Sequence, residues 1–264
     1  MSMSDNPFAP PKAAVLEADS DDAFIAEGRK VPAGRGTAWV GEAWVLFKRA
    51  PLIWIAMFVI FMVMTLVLAI IPMGSVVSSM LYPVFAAGFM LGCRELENGG
   101  KLEVAHLFAG FKSNVGNLIL VGLIYLAGAM VVAVIAGIGL AISMPFYLGG
   151  NFDANADMLT MALTMAPLLI LFVLVVMALS LPLVMAIWFA PPLVAFHNLA
   201  PLEAMKASFT GCARNIWPFL IYGIVFLLLL IAALIPLGLG LLVVSPMIWA
   251  SIYTAYRDIY LAPK

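Results

Sequence analysis

The stretch PLIWIAMFVIFMVMTLVLAII, residues 51–71, followed at once by Pro72-Met73-Gly74, decides the fold class. It holds no charged residue, and its one hydroxyl is Thr65. A helix needs about 20 apolar residues to cross the hydrocarbon core of a bilayer. Lipid offers the backbone no hydrogen-bond partner, so such a segment crosses as a helix whose amides satisfy one another. Proline cannot continue that ladder, and glycine tolerates a positive φ, so Pro72-Met73-Gly74 reads as a tight turn into a second span at 75–93.

The same plan recurs outward from this hairpin. Asp, Glu, Lys and Arg are absent from residues 50–93, 113–152, 158–202 and 215–256. Pro236-Leu237-Gly238 divides the last run as Pro72-Met73-Gly74 divides the first, giving spans at about 217–235 and 238–256. The two middle runs flank the polar loop YLGGNFDANAD, residues 147–157, and predict one span each, at about 117–142 and 160–190. The second of these is long and contains Pro182, which predicts a kink. A hairpin at Ser180-Leu181-Pro182 would raise the number of crossings from six to seven.

Composition agrees. Of 264 residues, 65% are apolar and 10% charged, against roughly 25% charged in soluble domains. Mean hydropathy is +1.12. A soluble globular enzyme and a disordered chain are excluded. With 13 Lys+Arg against 14 Asp+Glu, no basic surplus exists to hold nucleic acid.

Cation placement chooses between six and seven crossings. Lys12, Arg29, Lys30, Arg35, Lys48 and Arg49 precede the first span. Arg94, Lys101 and Lys112 lie between the second and third, Lys206 and Arg214 between the fourth and fifth, and Arg257 and Lys264 after the last. Six crossings put all of them on one side. Seven would send Lys206 and Arg214 across. The positive-inside rule predicts six spans with both termini cytoplasmic, in the inner membrane of a bacterium. No cleavable signal is expected, because residues 1–34 contain no hydrophobic region. They read as a disordered cytoplasmic tail, with a short polyproline stretch at Asn6–Pro11, ahead of a transmembrane domain over 35–264.

Each span pair is preceded by an amphipathic stretch: residues 39–49, 103–112 and 203–214. Phe108-x-Gly110-x-x-x-Asn114 recurs as Phe209-x-Gly211-x-x-x-Asn215. The expectation is an all-α membrane protein built as three parallel helix-pair units, each led by a short interfacial helix anchored by Trp and Lys/Arg at the cytoplasmic headgroups.

The predicted spans hold no Asp, Glu, Lys, Arg or His, which weakens proton coupling and charge-gated conduction. Arg94, Glu103, His106 and His197, with Glu95 nearby, form a candidate polar cluster at the cytoplasmic boundary. A lipid-modifying enzyme would need those groups within hydrogen-bond reach of one another; otherwise the histidines are structural. No catalytic residue is assigned. No His-Glu-x-x-His or paired cysteines occur, so neither a metal nor any other cofactor is expected. Met158, Met161 and Met165 share a helical face and would suit Cu(I), but methionine also fills packing gaps. Gly88 and Gly92, and Ala129, Ala133 and Gly137, recur at four-residue spacing and predict close helix packing, within the chain or between copies. Ser180, Pro182 and Pro191-Pro192 interrupt backbone hydrogen bonding where a cavity is conceivable.

The segments Val31-Pro-Ala-Gly-Arg-Gly36, Phe47-Lys-Arg-Ala-Pro51, Leu91-Gly-Cys-Arg94, His106-Leu-Phe-Ala-Gly-Phe111, Phe189-Ala-Pro-Pro192 and Tyr256-Arg-Asp-Ile259 together resemble a family of proteobacterial six-helix inner-membrane proteins of uncharacterised activity. The resemblance covers roughly residues 31–260. More distantly, the helix pairs resemble the membrane domain attached to some glycerophosphodiesterases, without the phosphodiesterase residues. The resemblance implies an inner-membrane location and brings no catalytic residue. The leading expectation is a non-enzymatic accessory, scaffold or envelope-homeostasis component. Its partners would be membrane lipids and either a second copy or another membrane protein. The alternative is a transporter or channel for a neutral or amphipathic small molecule.

Overall fold

Burial separates the helices of this chain into two kinds, those that face lipid and those that face each other. The computed structural model describes residues 23–151 and 158–262. Its helices are α1 (Arg35–Arg49), α2 (Pro51–Ile70), α3 (Gly74–Glu97), a 3-10 helix (Val104–Lys112), α4 (Val115–Asn151), α5 (Met158–Trp188), α6 (Ala190–His197), α7 (Pro201–Arg214), α8 (Ile216–Leu234) and α9 (Leu241–Tyr260). Among the described residues there is no strand, only an isolated bridge between Phe24 and Leu261.

Five helical segments are long and apolar enough to cross a membrane: α2, α3, α4, α5 with α6, and α8. Within the most apolar stretch of the α5–α6 segment only 6% of residues are buried inside the molecule, against 56% for the corresponding stretch of α3. Exposed Leu66, Ile70, Leu163, Leu174, Leu228 and Ile231 have nothing to pack on within the chain. Such a surface is stable only in an apolar solvent. Helix α9 is the converse case. It carries Ser245, Ser251, Thr254 and four aromatic residues, and most of its length is buried. An aromatic stack joins it to its neighbours: Phe89 lies 4.7 Å from Trp249 and 6.2 Å from Trp54, and Phe61 meets Trp249 edge-on at 5.7 Å. Aromatic pairs at these separations add to simple area burial. Helices α2, α3 and α9 are thus held by large rings, and α1 lies across α8 and α9.

Both predicted turns form. The left-handed residue of the first is Met73 (φ 64), and the second uses Leu237 (φ 55) and Gly238 (φ 82). Each of the three amphipathic stretches is helical. The α5 ladder runs through Ser180-Leu181-Pro182 without the hairpin that seven crossings would need. Two expectations change. Helix α4 continues to Asn151 and is 37 residues long, past the expected end at 142, because Ala141–Leu148 stays apolar and Tyr147 donates to the Thr164 carbonyl across the hairpin at 2.6 Å. Residues 25–31, expected within the tail, are instead fastened to the fold: the Ile25 and Arg29 amides donate to the Tyr260 and Ile259 carbonyls at 2.8 Å, and Val31 is buried. The polyproline stretch lies outside the described residues.

Candidate functional site at the charged end of the bundle

The last turn of α9 carries Arg257 and Asp258, and each gathers partners from elements remote in sequence. Asp258, 8% exposed, accepts from Arg29 Nη2 at 2.6 Å, Arg35 Nε at 2.5 Å and the Trp39 indole N–H at 2.9 Å. Arg35 continues to Glu42 at 2.8 Å. Arg257 is paired with both Glu42 and Glu97, and the Tyr253 hydroxyl donates to Glu97 at 2.6 Å. The result is a chain of alternating charges joining the N-terminal segment, α1, α3 and α9. Charge-assisted bonds to a part-buried carboxylate are the stronger kind. Burial pulls the Arg35 guanidinium down, but the hydrogen bond and charge of Asp258, with Glu42, outweigh it and the net shift is upward. Trp39, expected as a headgroup anchor, is fully buried instead. Trp44 is the exposed tryptophan of α1, with the Lys48 ammonium 5.7 Å above its ring.

The predicted cluster divides between two faces of α3. Arg94 lies over the Phe196 ring at 4.4 Å. His197 Nε2 is 2.6 Å from the Tyr256 hydroxyl, and its ring stacks on Phe24 at 3.7 Å. Arg94 and His197 share a cavity of about 170 Å³ with Glu97, Tyr253 and Arg257. Glu103 and His106 instead close the start of the 3-10 helix, where His106 Nδ1 accepts the Glu103 amide at 3.0 Å and the Glu103 side chain accepts from the third helical residue. His106 faces Gly92, and Arg94 stands two residues further along α3, about 200° round the helix. The four-residue constellation needed by a lipid-modifying enzyme therefore does not assemble. Glu95 touches neither histidine among the described contacts; its side chain lies against Gly100. The residues that do converge, Glu42, Glu97, Tyr253, Arg257 and Asp258, carry only one signal in the sequence: ionisable groups at the rim of an uncharged run.

The small-residue faces also divide. A Cβ on Gly88 would stand 2.4 Å from the Leu107 carbonyl oxygen, and one on Gly92 would stand 2.6 Å from Leu102. Both glycines admit the 3-10 helix against α3. Gly137 has nothing within 4 Å, Ala133 is exposed and Ala129 half-buried, so this stripe does not pack inside the chain. Position explains the difference. The stripe lies on the part of α4 that extends beyond the body of the bundle, where α5 is its neighbour; there Gly128 meets Leu183, and Ala136 is buried.

Two further features bear on chemistry. Among the described residues no group of His, Cys, Asp and Glu could hold a metal ion, and Met158 is almost fully exposed. Between α3, α4, α5 and α9 lies a partly open chamber of about 310 Å³ whose lining includes Ser78, Tyr82, Tyr125 and Trp188.

The chain is 26% identical over 257 residues to a probable inner membrane protein of Burkholderia thailandensis, an alignment covering 88% of this chain and 93% of that relative. No family model matches the chain. No solved structure matches it. The five apolar helices define an integral membrane protein, and the relative it resembles is described as one of the inner membrane.

Proposed function

We propose that the chain is a six-crossing protein of the bacterial inner membrane, with both termini cytoplasmic, that acts without catalysis as an accessory, scaffold or envelope-homeostasis component. In this reading α9 is the sixth crossing. Its polar residues are sheltered by α1, α2, α3 and α8, and hydropathy alone passes over it. The spans form three pairs, each led by α1, the 3-10 helix or α7, and the charged end is a cytoplasmic plate that meets lipid headgroups or a membrane-protein partner.

The observation that carries this reading is the alternating charge chain. Asp258, Glu42 and Glu97 are each held by arginine, so the carboxylates of this end serve to fasten helices together. A general base has to be free to take a proton from substrate. Complementation tests the reading. In a strain lacking the chain, sensitivity to detergent and to large antibiotics is expected to be relieved by the wild type and equally by Arg94→Ala, His106→Ala and His197→Ala. Loss of relief by one of these, with the amount of folded protein unchanged, would assign chemistry to the cluster and overturn the non-enzymatic reading. Topology is read separately, because Cys93 and Cys212 are both buried. An impermeant maleimide should label Asp153→Cys in intact spheroplasts and Thr37→Cys only after lysis; the reverse pattern overturns the orientation.

A second reading, passage of a neutral or amphipathic molecule, is favoured by the chamber beside α5. Uptake by proteoliposomes holding the chain, compared with empty ones, tests it.

A further inference from the structure

The chamber between α3, α4, α5 and α9 holds polar groups that nothing in the chain satisfies. The Trp188 indole N–H is buried with no hydrogen-bond partner. The hydroxyls of Ser78, Tyr82 and Tyr125 line the same space, and among the described residues they too have no hydrogen-bond partner. An unsatisfied polar group within hydrocarbon costs several kcal/mol. The buried Trp188 N–H meets that condition, while Tyr82 is 37% exposed and Ser78 and Tyr125 are half-buried, so the indole above all demands something that can accept. An indole donates only, and hydroxyls can donate. No charged side chain lines the chamber. The complementary group is therefore neutral and rich in acceptor oxygens, as an ester or ketone carbonyl is.

A second space adjoins the first. Helix α8 packs chiefly on α1 and α9, and its side toward α5 is left open. The crevice there, about 390 Å³, is walled by apolar side chains such as Leu181, Met185, Phe219 and Leu220. Val184 and Trp188 line both spaces. Pro182, nearly two turns before Trp188 and beside Leu181 of the crevice, removes a helical N–H from α5. Volumes of this size suit small-molecule sites, which pair a mostly apolar lining with a few placed polar groups.

We propose that chamber and crevice are one binding site for a neutral amphiphile. Its carbonyl oxygens are taken by Trp188, Tyr82 and Tyr125, with Ser78 beside them, and its hydrocarbon chain lies between α5 and α8, reached laterally from the bilayer. The inference rests on the chamber and goes beyond the accessory role. It concerns occupancy: a ligand that stays bound satisfies it even where no solute crosses, so failed transport and failed binding are separate results.

The test uses the full chain in phosphatidylcholine nanodiscs with two probes. Dioctanoylglycerol presents ester carbonyls, and decylubiquinone presents ring ketones and quenches tryptophan fluorescence. Saturable binding of either is expected. Trp188→Phe keeps an aromatic ring and removes the donor, and it should weaken binding about five-fold, the order expected for one neutral hydrogen bond. The double variant Tyr82→Phe, Tyr125→Phe should weaken it further. The tyrosine variant should keep the wild-type melting temperature, since no internal hydrogen bond is lost, and Trp188→Phe should lower it only by the indole packing lost against Phe219 and Tyr222. Gly223→Leu, whose side chain would enter the crevice, should abolish binding of the longer-chained probe. Binding of dioctanoylglycerol alone assigns a glycerolipid; binding of decylubiquinone alone assigns a quinone. Saturable binding of neither, or binding that the Trp188 and tyrosine variants leave unchanged, overturns the proposal and leaves the chamber to water.

Discussion

Replacing Asp258 by alanine should cost this protein a large part of its stability, and the size can be worked from the contacts. The carboxylate is 8% exposed and accepts three side-chain hydrogen bonds, two of them from guanidinium groups. Removing one member of a buried charge pair costs about 3–5 kcal/mol, because the other is left without compensation. Here the arginines are about a third exposed (31% and 34%), so water reaches them and part of the loss is screened. The buried Trp39 N–H gets no such relief. An effect of about 3 kcal/mol results. At about 2–4 °C per kcal/mol for a chain of this size, the melting temperature falls by about 6–12 °C. The protein supplies its own probe: Cys93 and Cys212 are free and buried, so a thiol-reactive fluorophore in mild detergent reads unfolding without labelling the native state. Asp258→Asn, which keeps the shape and half the acceptor capacity, should fall between. A melting point for Asp258→Ala within about 1 °C of wild type would refute the idea that the charge chain fastens α9 to α1.

Further outcomes follow from the packing. Gly88→Leu should prevent correct assembly, since the Leu107 backbone occupies the space, whereas Gly137→Leu should leave the melting temperature of the monomer unchanged. Asn215→Ala removes the acceptor for the Val31 amide (2.8 Å) and the donor to the Arg29 carbonyl (2.9 Å). It should destabilise by about 1–3 kcal/mol and speed proteolysis at residues 23–31, with unchanged cleavage counting against that anchor. Burial pushes the Cys212 thiol up to about 12, a hydrogen bond with Ser208 opposing it. Because the folded thiol keeps its proton after the unfolded one has lost it, Cys212 favours folding below the ordinary thiol pKa, and that contribution is lost as pH rises toward 12. Iodoacetamide should accordingly modify native Cys212 far more slowly at pH 8 than the unfolded thiol, as peptide mass spectrometry would show.

The spanning helices were legible because apolarity and length are local properties. Expected ends at 51–71 and 217–235 meet Pro51–Ile70 and Ile216–Leu234, and both Pro-x-Gly turns sit where proline ended the ladder. The Gly149-Gly150 pair misplaced the end of α4, because glycine at the end of an apolar helix costs too little to stop it. The site was much less legible. Arg29 meets Asp258 across 229 residues and Arg257 meets Glu97 across 160. No periodicity within one segment encodes such a pairing. The sequence brought Arg94, Glu103, His106 and His197 to one boundary, but depth in the membrane does not say which side of a helix a residue occupies. Chamber and crevice were foreshadowed only by Ser180, Pro182 and Pro191-Pro192, and their polar groups come from three helices remote in sequence.

One hairpin has a consequence for the membrane itself. Helices α4 and α5, of 37 and 31 residues, extend about 55 and 46 Å at 1.5 Å per residue, while the hydrocarbon layer is about 30 Å thick. Lipids around so long an apolar hairpin must stretch, or the hairpin must lean and bend at Pro145 and Pro167. Either response taxes a thin bilayer more than a thick one. The length of this single element thus gives the molecule a stake in local bilayer thickness and a physical basis for lateral sorting.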